Sequence, residues 1–217
     1  MSEQLLAALV AVGIMLLVGF PVHEFSHAYA AFRLGDSTAR WQGRLTLDPR
    51  VHFDPIGGLM LVVGALLTGG RFFLGWAKPT PVNPFNLRYG RRGEALVAVA
   101  GPVSNLIMAV VVAVPVRLIA MLPDLQTMID TNEIASFLFF IAVFFVVINV
   151  YLMIFNLLPI PPLDGWKVLL GLVDARTSYT LRQYEQYGFV LLIALVVLGG
   201  RVVGGLADPV ISFLLGS

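Results

Sequence analysis

Four uncharged, apolar runs dominate the chain: Leu5 to Val22, Ala95 to Val116, Ile134 to Pro162 and Tyr187 to Gly200. Each is near or above the ~18 residues that mark a candidate membrane span. Only 12% of the 217 residues are charged, against about a quarter in a soluble domain. A soluble surface cannot be built from so few charges. The sequence therefore predicts an all-α polytopic membrane protein of about four spanning helices, since helices satisfy their own backbone polar groups in lipid.

The segments between these runs carry further expectations. Pro21 sits inside the first run and cannot donate to the Leu17 carbonyl, so a bend is expected there. The alternation from Arg40 to Leu47 predicts a short strand or hairpin. Gly57 to Gly70 is apolar, glycine-rich and too short to span comfortably, which suggests a re-entrant or interfacial hairpin. Trp76 to Pro84 reads as an extended loop stiffened by proline. The prolines at 159, 161 and 162 end the third span, and a short helix is expected from about Asp164. The fourth span, about 187–215, is interrupted by Gly199, Gly200, Gly204 and Gly205. Those glycine pairs suit packing between copies, which is compatible with a homo-oligomer. No repeat or separate soluble domain is visible, so residues 1–217 read as one membrane-embedded domain with its core in 5–167 and an accessory C-terminal span. Ala28-Tyr29-Ala30 resembles a signal cleavage site, but Ser2-Glu3-Gln4 offers no basic leader, so no cleavage is expected.

Positive charge sets an expected orientation. Nine Lys or Arg lie between Arg33 and Gly93, three between Pro159 and Gln186, and only Arg117 between the second and third spans. The basic loops fall on one side, predicting a plasma-membrane protein with that side cytoplasmic and the N-terminus outside. The arginines are scattered through short loops, so no nucleic-acid face is expected.

Chemistry concentrates in His23-Glu24-Phe25-Ser26-His27, an H-E-x-x-H pattern on a predicted helix. Residues four apart lie ~40° apart around a helix and one turn along it, so both imidazoles can reach one Zn²⁺. Glu24 projects beside them, placed to take a proton from water. Three ionisable groups on an apolar helix are costly in lipid and mark function by default. With no cysteine in the chain, any transition metal must use His, Asp or Glu.

An open catalytic zinc site needs a third protein ligand. The third span delivers Asp164 to the same side of the membrane as the histidines, and the preceding prolines allow the chain to fold back. Asp164 is then either the closing carboxylate or the N-cap of the following helix. Glu94 and Asp54, each at a span edge, are weaker rivals. His52 is a ligand candidate that also suits an interfacial turn. Asn105, about eleven residues into the second span, is either a hydrogen-bond donor to a developing oxyanion or a helix-packing residue beside Gly101 and Ser104. A metal carrier would use the same groups, but no repeated half is visible.

With the H-E-x-x-H pattern at 23–27 and Asn156-Leu-Leu-Pro159-Ile-Pro161-Pro-Leu-Asp164-Gly165 downstream, the chain resembles the site-2 protease family of intramembrane metalloproteases. The 43–49 segment and the 76–84 loop resemble its compact branch, and nothing resembles an inserted PDZ domain. The resemblance implies His23, His27 and Asp164 as ligands of one zinc, Glu24 as general base and Asn105 as oxyanion stabiliser. It also implies an endopeptidase whose substrates are transmembrane proteins in the bilayer.

Overall fold

A computed structural model describes residues 3–67 and 75–216. In chain order the helices are α1 (Glu3–Ile14), a π-helical turn (Met15–Gly19), α2 (Phe20–Arg33), α3 (Thr38–Trp41), α4 (Pro49–His52) and α5 (Pro55–Leu67). The second half holds α6 (Arg91–Met121), α7 (Pro123–Thr131), α8 (Glu133–Leu157), α9 (Asp164–Leu172), α10 (Ala175–Arg182), α11 (Gly188–Leu198) and α12 (Gly200–Leu215). Among the described residues, three segments are long and apolar enough to cross a membrane: Leu6–Arg33, Arg91–Met121 and Glu133–Leu157. The pair Ala175–Leu195 and Gly200–Leu215, bent by 75°, makes a fourth if it is counted as one broken span. The chain is an all-α, multi-pass membrane protein.

The first span is continuous through Pro21. A bend is expected at this proline; the irregularity found beside it is the π-helical turn Met15–Gly19, which contains Leu17, the residue whose carbonyl Pro21 cannot bond. Met15 folds back over Gly19 there, in the space a side chain at 19 would need, and Asn149 of α8 donates to its sulfur at 3.3 Å.

At the centre stands α6, which packs against α2 on one side, α8 on another and α9 at its N-terminal end. Small residues make that possible, since Ala95, Ala98, Gly101, Ala109 and Ala113 are buried along α6. Two apolar clusters weld the bundle. One joins α1, the π turn and α8 through Ala11, Val12, Met15, Phe145 and Ile148. The other joins α6, α8 and α12 through Ala109, Ala113, Val146, Val150 and Ala207.

The strand expected over Arg40 to Leu47 does not form; among the described residues there is no strand. Asp36 accepts from the Thr38 amide at 3.0 Å and starts the single helical turn α3 instead. Gly43 then takes a left-handed φ of 69°, which ends any extended run. Arg44 turns inward, buried, to donate to the Val51 carbonyl. Of the hairpin expected over Gly57 to Gly70, the first limb is the helix α5, packed on α1. Its remaining residues lie outside those described. The Trp76 loop is extended as expected and has no regular structure through Asn83.

Candidate metal centre

His23 and His27 lie one turn apart on α2, facing α6, with ring centroids 4.7 Å apart and ring planes at 83°. The chain after α8 folds back through Leu158 to Leu163, where Ile160 bonds to the Leu158 carbonyl at 2.8 Å and Leu163 to that of Ile160 at 2.9 Å. This turn is tight enough that Gly165 packs onto the Leu157 and Leu158 carbonyls, leaving no room for a side chain. Asp164 opens α9, whose N-cap is Leu163 with no side-chain cap bond. The Asp164 carboxylate points at the histidines instead, with Oδ2 at 3.3 Å from His23 Nε2 and 3.2 Å from His27 Nε2. One ligand atom from each of the three residues falls within 4.8 Å of the others.

The outer nitrogens explain why the inner ones face one point. His27 Nδ1 lies 2.7 Å from the Val97 carbonyl, which can only accept, so Nδ1 carries the proton. His23 Nδ1 lies 3.1 Å from Asn105 Oδ1, which assigns the same tautomer there. The two Nε2 atoms, 3.0 Å apart, then both turn their lone pairs inward, toward the Asp164 carboxylate oxygen. Three acceptors converging without a donor repel one another unless a cation lies among them. Two imidazole nitrogens and one carboxylate oxygen suit zinc. Space for an ion exists because Gly101 of α6 has no side chain; a Cβ there would collide with His27 Nε2 and come within 2.6 Å of His23 Nε2. The residues present fit a metal.

Glu24, 8% exposed, sits beside this cluster. Its Oε2 accepts from the Thr80 amide at 2.8 Å, and its main-chain carbonyl accepts from the Thr80 hydroxyl at 2.9 Å. Asn105 is 1% exposed; its Nδ2 has no hydrogen-bond partner among the described residues.

The rival residues are placed elsewhere. Glu94 pairs with Arg182 at 3.0 Å, tying α10 to the start of α6. Asp54 caps α5, accepting from Ile56 and Gly57 at 2.9 Å each. His52 closes α4, is buried and bonds through Nε2 to the Thr46 carbonyl at 2.8 Å, away from the cluster. Three features were not foreseen from sequence: the Thr80 clamp, the Val97 carbonyl and Asp36. The first two involve main-chain atoms, which leave no residue-type signal. Asp36 could have been found, since an Asp just after a helix-ending glycine commonly binds nearby amides.

A helical bundle of membrane-spanning length, with two histidines and an aspartate converging between its spans, defines a multi-pass membrane protein with a candidate metal centre. The sequence pattern of peptidase family M50 matches residues 115–199, the stretch that carries Asp164. "Putative zinc metalloprotease YwhC" of Bacillus subtilis is 38% identical over 189 residues, covering 85% of this chain and 78% of that protein. "Putative zinc metalloprotease Rip2" of Mycolicibacterium smegmatis is 32% identical over 181 residues, covering 83% of this chain and 64% of its own length. Rip2 of Mycobacterium tuberculosis is 32% identical over 179 residues, 82% and 63% of the two chains. This chain therefore spans less than two thirds of the mycobacterial proteins. No solved structure matches it. The chain belongs to peptidase family M50, in agreement with its resemblance to the site-2 proteases.

Proposed function

We propose that this protein is a zinc endopeptidase that hydrolyses peptide bonds of transmembrane protein substrates, inside or at the edge of the bilayer. One observation carries the reading: His23, His27 and Asp164, from two distant parts of the chain, offer ligand atoms within 4.8 Å of one another beside the buried Glu24. Residues 1–217 act as one domain holding one zinc ion per chain, with the machinery in 5–167 and the C-terminal helices accessory.

His23, His27 and Asp164 hold the ion, and Val97 and Asn105 hold the imidazoles in the tautomer that binds it. When bound, zinc polarises a substrate carbonyl and acidifies water. Glu24 takes the proton from the attacking water and passes it to the departing amine. The Asn105 amide, with no acceptor among the described residues, is the donor for negative charge developing on the carbonyl oxygen. The basic loops support a site toward the cytoplasmic face of the plasma membrane, with the N-terminus outside.

The test is cleavage of a helical substrate by the purified protein in lipid vesicles, beside its zinc content. Glu24→Gln should abolish cleavage and keep the metal, whereas His23→Ala should lose both. Full turnover by Glu24→Gln would remove the proposal.

A further inference from the structure

The loop from Lys78 to Asn83 is an extended strap tied down at three points. The Lys78 amide donates to the His52 carbonyl at 2.8 Å, the Thr80 amide to Glu24 Oε2 at 2.8 Å, and the Asn83 amide to Asp36 Oδ2 at 2.7 Å. Pro79 and Pro81 have no N–H. In extended backbone, alternate residues point their amides to opposite edges. Lys78 and Thr80 aim theirs inward, and the prolines leave the outer edge without donors at 79 and 81. All three of these amides are spent on the protein's own body. Val82 reinforces the grip by packing against Ala31, Leu87 and Val97.

Thr80 is the middle tie, and it holds Glu24 twice, by side chain and by main chain. The amide bond uses one carboxylate oxygen. Among the described residues the other oxygen accepts no hydrogen bond, so it keeps its lone pairs for a proton. A donor on one oxygen fixes the carboxylate plane and leaves the second oxygen free to work. We infer that Thr80 is the positioning residue for Glu24, acting through its main-chain N–H, with the strap as the scaffold that presents it. This rests on Glu24 being the base.

Thr80→Pro and Thr80→Val separate the parts. Both lack the hydroxyl, only proline lacks the N–H, and proline suits an extended backbone between two prolines. The measurements are kcat and KM on a helical substrate in vesicles, zinc content, and maleimide labelling of Val82→Cys in each background. Labelling reports strap docking cleanly because the chain has no other cysteine. In Thr80→Pro, kcat should fall about 10- to 100-fold, the scale of a misplaced catalytic group. KM should stay within twofold, and zinc and labelling should be unchanged. Thr80→Val should lose less than fivefold. The inference is overturned if Thr80→Pro keeps kcat within fivefold of the parent, or if Thr80→Val loses as much as Thr80→Pro. A loss accompanied by missing zinc or faster labelling overturns it too, since Thr80 would then be a structural anchor. Glu24→Gln, run in parallel, tells the two failures apart: if it cleaves, the base assignment has failed; if it is dead while Thr80→Pro is active, only Thr80's role has failed.

Discussion

Asn105 Oδ1, on the second span, lies 3.1 Å from His23 Nδ1 on the first, and this one contact sets which face of the imidazole is free. Replacing Asn105 with Leu keeps the branched shape and removes the acceptor. Zinc affinity, measured by chelator competition, should fall about 10- to 100-fold, as for other partners of ligating histidines. Asn105→Asp keeps an acceptor and should hold zinc better than Asn105→Leu. Equal affinity in Asn105→Leu and wild type would show that the contact is incidental.

Gly101 tests the space at the centre. Alanine is favoured over glycine in a helix by about 1 kcal/mol, so Gly101→Ala should leave circular dichroism intact. The new methyl would nevertheless sit against both imidazoles. Zinc content should drop as far as in His23→Ala. Retention of a full equivalent would mean that the histidines have room to retreat.

Asp164→Ala distinguishes ligand from cap. Because Leu163 occupies the N-cap position and Asp164 is already the first residue of the helix, α9 should keep its helicity while the zinc equivalent is lost. Helix loss with metal retained would reverse that assignment.

Asp36 gives the strap a pH limit. Its side chain is fully buried. Burial alone would raise its pKa, but bonds from Thr38, then from Asn83 and Asn86, outweigh it and hold the carboxyl below the usual aspartate value of 3.8. A depressed native pKa stabilises the fold above the unfolded value, and that stability is lost as pH falls through the native one. Wild-type Tm in detergent should therefore decline as pH drops below about 4, and Asp36→Asn should start lower and decline less. Parallel curves for the two proteins would remove Asp36 as the cause.

Much of this site could be read from residue types alone. His23 and His27 stand at the spacing that one helical turn requires, and Glu24 follows from the same pattern. Asp164 was reachable because prolines must break the third span where its chain returns to the level of the histidines. Side-chain direction separates the candidates that sequence left side by side: Asp164 faces the imidazoles, and Glu94, Asp54 and His52 each face another partner. The strand over Arg40 to Leu47 failed because alternation records neither Gly43's backbone nor the lack of a pairing strand. Thr80 stayed hidden because its bond to the Glu24 carboxylate comes from a main-chain amide, which every residue but proline possesses.

The π-helical turn at Met15–Gly19 sets the phase of everything after it. One extra residue in that turn offsets the angular register of α2 from that of α1, so one rod presents its apolar stripe to α8 and its histidines to α6. Deleting a single residue there would swing His23 and His27 by about 100° toward a different neighbour. A frame shift of that size, far from any ligand atom, would silence the centre as surely as losing a histidine.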